Sequence, residues 1–356
     1  MHDLVVPVVA VPARNEAVLL PRLIEALGRQ TAIAGLAAPL RVVVVLNNTD
    51  DGSKKAVSAV AERAEGLLLK IIDVDFPPDR AHVGSARRLA MDLAAREAPS
   101  GVILTTDADA VPADDWVERN LRAVHAGADI VGGRIIGDPQ EEARLGSGFL
   151  RRAATYSRYD ALRDELASVI DPLEHDPWPR HRDHTGASIA VCSQVYAAVG
   201  GMEPLPFRED RAFVSRVVAA GYRLSHPLDV TVTVSARTCG RAPGGMADCL
   251  RSWLKEEAEG APILLECPRQ IEERLRLRSA IRGFQGRDPG AVRRMMRQWG
   301  LKPGEAGRDI PPLSPAELIE RFAADDPDAT GTVPDVIAIA ALERRLAELK
   351  EVSDAA

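Results

Sequence analysis

The stretch Val102-Ile103-Leu104-Thr105-Thr106-Asp107-Ala108-Asp109-Ala110-Val111-Pro112 runs an apolar segment straight into two carboxylates. Val102 to Thr106 reads as a strand buried on both faces, the pattern of a parallel sheet. Residues i and i+2 of an extended chain point the same way, so Asp107 and Asp109 can face one point. Two carboxylates held close are costly unless a cation or a proton lies between them. A hard divalent ion, Mg²⁺ or Mn²⁺, fits such a pair and usually completes its shell with substrate phosphates. The plain alternative is a solvated acidic turn before Pro112. The position at the end of a buried strand favours the metal.

Outward from this strand, the N-terminal half alternates. Val5 to Val11, residues 42–46 and Leu67 to Val74 are further apolar strands. Between them, Leu19, Leu20, Leu23, Ile24 and Leu27 recur at helical spacing. Ala56, Val57, Val60 and Ala64 do so after the Asp51-Gly52-Ser53 turn, and Ala86 to Arg96 is a third helix. Such repetition predicts an α/β fold with a doubly wound, mostly parallel sheet and helices on both faces. Further on, Asp114 to His125 reads as a helix and Ile130 to Ile136 as one strand. Residues 138–183 read as a helix and a long loop, Ile189 to Val191 as a short strand, Arg211 to Ala220 as a helix, and 229–235 as an alternating strand. Beyond about residue 250 the pattern turns helical and charged, with breaks at Pro303, Pro311-Pro312 and Pro327. The last helix, Pro334 to Val352, carries a stripe of Val336, Ile337, Ile339, Ala340, Leu342 and Leu346.

The 356 residues, 46% hydrophobic, suffice for a full core and exclude wholesale disorder. A net charge of −7 argues against broad nucleic-acid binding. No apolar run reaches membrane-span length, which argues against an integral membrane protein. The N-terminus shows no secretory signal, and Cys192, Cys239, Cys249 and Cys267 lack zinc-ligand spacing. A cytoplasmic protein with reduced thiols is the expectation.

Other polar motifs stand at strand ends, where ligands of open α/β sheets collect. Pro12-Ala13-Arg14-Asn15-Glu16 follows the first strand, and no GxGxxG follows it, against a dinucleotide enzyme. Asn47-Asn48-Thr49-Asp50-Asp51-Gly52-Ser53 ends the second strand and reads as a turn or as base and ribose contacts. His184-Thr185-Gly186-Ala187-Ser188 precedes a short strand. Glu209-Asp210 opens a helix, where the dipole favours carboxylates; an ionised carboxylate there can take a proton from a hydroxyl. The adjacent Arg87 and Arg88 read as a solvated helix face or as a phosphate contact. The segment Arg237 to Met246 reads as a linker or a mobile loop whose glycines give hinge freedom and whose arginines suit phosphate. His175, His181 and His184, with Asp176 and Asp183, read as a polar loop rather than a metal site. Trp116 is expected to pack its helix on the sheet, and Trp178 and Trp253 to stack on a ligand or to pack.

In this order the motifs resemble the family 2 glycosyltransferases of GT-A fold, over roughly residues 5 to 240. The resemblance implies a GT-A domain over 1–250, with a nucleotide-binding half at 1–110 and an acceptor half at 111–250, followed by a helical extension at 251–356. It implies a hexosyltransferase-type enzyme moving a sugar from a nucleotide diphosphate donor to a hydroxyl acceptor. Pro12, Ala13, Arg14, Asn15, Glu16, Asn47, Arg87, Ala108 and Arg241 would line the nucleotide-sugar site. Asp107 and Asp109 would hold Mg²⁺ or Mn²⁺ and the diphosphate, and Gly186, Ala187 and Ser188 the acceptor. Asp210 would be the base of an inverting transfer, with Glu209 next to it. Asn47-Asn48 stands where the family often has a uracil-contacting Asp. Ser235-Ala236-Arg237 stands where it often has a third metal ligand, a His, leaving that place to water. A retaining transferase and a non-catalytic nucleotide-sugar binder are the competing readings. The C-terminal helices would serve dimerisation, acceptor binding or packing.

Overall fold

A computed structural model describes residues 5–240, 245–283, 314–325 and 331–354. Arg241 and the expected breaks at Pro303, Pro311-Pro312 and Pro327 lie outside these residues. In chain order the strands are β1 (Pro7–Ala13), β2 (Leu40–Asn47), β3 (Leu67–Val74), β4 (Val102–Thr105), β5 (Ala110–Pro112), β6 (Ile130–Gly132), β7 (Arg134–Gly137), β8 (Ile189–Cys192), β9 (Leu224–Ser225), β10 (Thr231–Val234), β11 (Leu264–Glu266) and β12 (Thr332–Pro334). The helices are α1 (Leu20–Gly28), α2 (Ser53–Ala61), α3 (Val83–Glu97), α4 (Trp116–His125), α5 (Pro139–Arg144), α6 (Ser147–Ile170), α7 (Ser193–Ala198), α8 (Glu209–Ala219), α9 (Met246–Ala258), α10 (Pro268–Arg282), α11 (Pro315–Phe322) and α12 (Asp335–Asp354).

The main sheet has the order β3-β2-β1-β4-β8-β6-β9, parallel except where β8 runs against β4 and β6. The strands are buried on both faces because period-two alternation splits each between two cores. Val9, Val11, Val42, Val44 and Leu104 face one core, with Leu20, Leu23 and Ile24 of α1 and Val57 of α2. Val8, Ala10, Val43, Val45 and Ile103 face the other, with Ala90 and Met91 of α3 and Phe213 and Val217 of α8. This is the doubly wound arrangement expected. A smaller sheet has the order β5-β10-β7, and Trp116, fully buried, donates its indole N–H to Ser188 Oγ at 2.8 Å.

Three expectations need correction. Ile130 to Ile136 is two strands in different sheets, because the chain crosses other segments at Gly132 and Gly133. A Cβ on Gly132 would lie 2.3 Å from the Asp183 carbonyl oxygen, and one on Gly133 would lie 2.0 Å from Ser188 Oγ. Strands do not stop at residue 250: β11 pairs antiparallel with β12, two three-residue segments too short to show a pattern. The apolar stripe of α12 is narrower than its sequence suggests. Ala338, Leu342 and Leu346 are buried, but Val336 and Ile337 are exposed. These residues pack with Tyr159 and Leu166 of α6 and Ile271 and Leu275 of α10 in a third core, so the extension closes over the long α6. Among the described residues no helix is long and apolar enough to cross a membrane.

Candidate active site

The site lies at the carboxyl ends of β1, β2 and β4, as the open-sheet rule requires. Pro12 and Ala13 are the buried last residues of β1. Arg14, exposed, donates to the Ala81 carbonyl at 2.8 Å. Asn15 takes a left-handed backbone with φ 54°, and its Oδ1 accepts the Asp50 amide at 3.0 Å. Asn47 is buried at the end of β2. Its Nδ2 donates to the His82 carbonyl, and its Oδ1 has no hydrogen-bond partner among the described residues. The first two strand ends and the 80–82 segment therefore form one wall, with a buried acceptor in it.

Arg87 is the hub of the site, and its solvated-face reading is wrong. The helix α3 turns Arg87 into the sheet, 2% exposed, while its neighbour Arg88 stays at the surface and pairs with Asp92. The guanidinium donates to Asp107 Oδ1 at 2.6 Å, Glu209 Oε1 at 3.0 Å, Thr105 Oγ1 at 3.1 Å and the Gly186 carbonyl at 2.9 Å. Burial alone would lower its pKa, but Asp107 and Glu209 outweigh burial and hold it above the ordinary value. Arg87 thus joins the end of β4, the 184–188 turn and the N-terminus of α8. Gly186 has no room for a side chain, because a Cβ would lie 2.4 Å from Arg87 Nη2.

Arg237, just past β10, makes the second ion pair. It grips Glu16 at 2.5 and 2.9 Å and reaches Asp109 Oδ2 at 2.8 Å. A residue the sequence did not single out holds it there: Glu141 of α5 accepts from Ser235 Oγ and the Ala236 amide, both at 2.7 Å. Ser53, at the head of α2, accepts the Glu16 amide at 2.8 Å and fixes the other side. Ser53 ends the polar motif after β2, but Glu141 carries no motif, since it acts on residues far away in the chain.

Five carboxylates, Glu16, Asp107, Asp109, Glu209 and Asp210, thus surround two guanidinium groups. The shortage of positive charge shows at Asp109. Its carboxyl is pushed up to about 6, by burial first and then by Asp107, with Glu16 adding and Arg237 opposing. Two oxygen donors in a site short of cations fit a hard dication that arrives with its own phosphate ligands. Among the described residues no three His, Cys, Asp or Glu side chains are grouped to hold a metal by themselves.

At the head of α8, Glu209 is buried against Arg87. Asp210 accepts the Gly186 amide at 2.6 Å through Oδ2 and the Arg211 amide at 2.7 Å through Oδ1. Of the other expected contacts, Ala108 is buried. The Ala187 carbonyl accepts Thr106 Oγ1, and Ser188 Oγ is taken by Trp116. The histidine loop is packed inside: His226 bonds Asp176 at 2.9 Å and His184 at 3.2 Å. Burial and His226 push His181 down to about 3 and His184 down to about 4, so both are neutral at pH 7. Trp253 stacks on Tyr156, with ring centroids 4.5 Å apart, and so packs. Trp178 is 42% exposed.

Comparison with known proteins follows from this geometry. The sequence model described as glycosyl transferase family 2 matches residues 8–173. No curated protein matches the chain. Among solved structures, a mannosyltransferase from Pyrobaculum calidifontis, in complex with GDP-Man and Mn²⁺, is 19% identical with a TM-score of 0.47; the match covers 99% of this chain and 75% of that one. TarS of S. aureus is 14% identical with a TM-score of 0.45, over 80% of this chain and 44% of that one. Glucosyl-3-phosphoglycerate synthase of M. tuberculosis is 14% identical with a TM-score of 0.40, over 73% of this chain and 82% of that one. At these identities and scores the likenesses say nothing about substrate.

Proposed function

We infer that this chain, whose residues 8–173 match the sequence model of glycosyl transferase family 2, is a metal-dependent inverting transferase that moves a sugar from a nucleotide diphosphate donor to a hydroxyl acceptor. The observation that carries the reading is the single guanidinium of Arg87 holding Asp107 at the end of β4 and Glu209 at the head of α8. Donor-side and acceptor-side carboxylates are locked in one frame, with Asp210 next to Glu209. Residues 1–250 would be the transferase domain and the chain beyond them an extension. Donor, acceptor and Mg²⁺ or Mn²⁺ are its partners.

Within that frame each group has a task. Asn47, Asn15 and Glu16 line the nucleotide end. Asp107 and Asp109 would hold the dication, whose chemistry there would be to supply positive charge to the leaving diphosphate. Arg237 and Arg87 keep these carboxylates in place and add charge of the same sign. Asp210 takes the proton of the acceptor hydroxyl as its oxygen bonds to the anomeric carbon. Its two backbone N–H partners orient it. Glu209, tied to Arg87, positions rather than reacts.

Titration calorimetry with a panel of nucleoside diphosphates, with Mn²⁺ or with EDTA, tests the donor side. Binding should appear for one base and fall by at least tenfold in EDTA; equal affinity in both sinks the role of Asp107 and Asp109. Asp210→Asn should cut turnover of the matching nucleotide sugar by about 10² to 10⁴. Turnover near the parent rate would move the base elsewhere. Product anomer analysis by NMR separates inversion from retention.

A further inference from the structure

A second cluster of charge lies away from the donor site, where α6, α10 and the 171–188 loop meet. Arg163 of α6, Arg182 of the loop, and Arg274 and Arg278 of α10 converge there. Arg182 pairs with Asp164 at 2.5 Å. Glu266 takes Arg274 at 2.5 Å and Arg163 at 3.2 Å. Asp325, just past α11, has one oxygen, Oδ1, that serves both Arg274 at 3.2 Å and Arg278 at 3.1 Å. All four guanidinium groups are largely buried, whereas the Asp325 side chain is 55% exposed, so the cluster opens to solvent at Asp325.

Asp160, 3.7 Å from Arg163 and 3.9 Å from Arg182, joins Asp164, Glu266 and Asp325, so four carboxylates balance the four arginines and the cluster is one positive charge in excess once Asp325 is out of it. Among the described residues the Nε–H groups of Arg163 and Arg182 are buried and have no hydrogen-bond partner. A buried charged donor left unpaired costs free energy. A planar carboxylate such as Asp325 offers two oxygens. A small oxyanion with three or more oxygens matches the remaining donors, and guanidinium groups suit such anions by their fork geometry.

The cluster also lies beside the proposed base. Arg182 is four residues before Gly186, whose amide bonds Asp210. His184, between them, lies within the electrostatic reach of both Asp325 and Asp210. Ser215 of α8 bonds Glu320 of α11, which docks the Asp325 segment against the helix that Asp210 begins. We propose that Arg163, Arg182, Arg274 and Arg278 form an oxyanion site, filled by the Asp325 carboxylate in the free protein, that takes the phosphate or carboxylate group of an anionic acceptor. The assignment to an acceptor rests on the reading of Asp210 as base; the oxyanion site itself does not.

Titration of inorganic phosphate, and separately of malonate, into the full-length protein at constant ionic strength tests this. Asp325→Asn removes the built-in competitor and should bind phosphate at least tenfold more tightly than the parent. Adding Arg278→Gln should cancel the gain, and adding Arg237→Gln, on the donor side, should leave it. Malonate binding better than phosphate would mark a carboxylate acceptor, and the reverse a phosphate acceptor. No gain in Asp325→Asn, or a gain that survives Arg278→Gln or vanishes with Arg237→Gln, overturns the site. If Asp325→Asn does not fold, the parent carries the test: phosphate must bind it, and Arg278→Gln must weaken that binding at least tenfold. Nucleoside diphosphate binding, measured on the same samples, fails independently if the donor reading is the one at fault.

Discussion

Replacing Asp109, one of the two carboxylates proposed to hold a metal, should stabilise this protein when no metal is present. The Asp109 carboxyl moves from 3.8 in the unfolded chain to about 6 in the fold, through burial and the neighbouring Asp107. Between about pH 4 and pH 6 the folded chain keeps a proton that the unfolded chain has released, so stability falls as pH rises through that window. A shift of about two units at roughly 1.4 kcal/mol per unit sets a ceiling of about 3 kcal/mol at pH 7. Asp109→Asn removes this penalty. It also weakens one charge-assisted bond, and Arg237 still keeps its two bonds to Glu16. That loss is about 1.5 kcal/mol, the low end for such bonds. The expected net is a gain of about 1 kcal/mol at pH 7 that shrinks to nothing or reverses by pH 4.5. Urea unfolding in EDTA at several pH values from 4.5 to 8 measures it. With Mn²⁺ the order should invert, because only the parent gains binding energy from the ion. A difference between the two proteins that is flat with pH, or a variant less stable at pH 7 in EDTA, would refute the reasoning.

Arg87→Met should cost about 3 to 5 kcal/mol in denaturant unfolding, since it leaves Glu209 as a buried charge without its partner and takes from Asp107, partly exposed, its shortest ion pair. A loss below about 1 kcal/mol would mean that the hub is replaceable. Gly186→Ala should lower both stability and turnover, because its methyl group would lie 2.4 Å from Arg87 Nη2 and force the guanidinium off its four partners; circular dichroism melting and nucleotide release read the two effects. Ser188→Ala should lower stability by about 1 to 3 kcal/mol by leaving the Trp116 N–H buried and unpaired, and an unchanged unfolding midpoint would show that the indole finds another acceptor.

The strands of the main sheet are legible because Val8 to Val11 and Val42 to Leu46 have no polar position on either face. Such runs stand only between two cores. The carboxylates are legible too, since Asp107, Asp109, Glu209 and Asp210 follow or precede recognisable elements. Arg87 is not. Arg87 and Arg88 are chemically alike and adjacent, and only the docking of α3 on the sheet decides which one faces inward. Nor is Glu141, whose partners at Ser235 and Ala236 lie more than ninety residues on. The pair β11 and β12 stayed hidden because each strand has three residues.

These differences share a physical cause. Acidic groups that must gather at one point are placed by local geometry: alternate positions of one extended segment, or the first turn of one helix. The cations that make their gathering tolerable need only reach that point, and long arginine side chains do so from any element. Arg87 arrives from α3 and Arg237 from the end of β10, while around Asp325 the arginines come from α6, a loop and α10. A short-range pattern therefore marks the anionic half of each site, and only the fold reveals the cationic half. The two halves balance differently. Five carboxylates with two guanidinium groups leave the β4 site short of positive charge, which suits a dication carrying phosphates. Around Asp325 four guanidinium groups face four carboxylates, Asp160, Asp164, Glu266 and Asp325, and the most exposed of these, Asp325, is the one that an oxyanion would replace. The proposed transferase, joining a metal-bound diphosphate donor to an anionic acceptor, would use both sites.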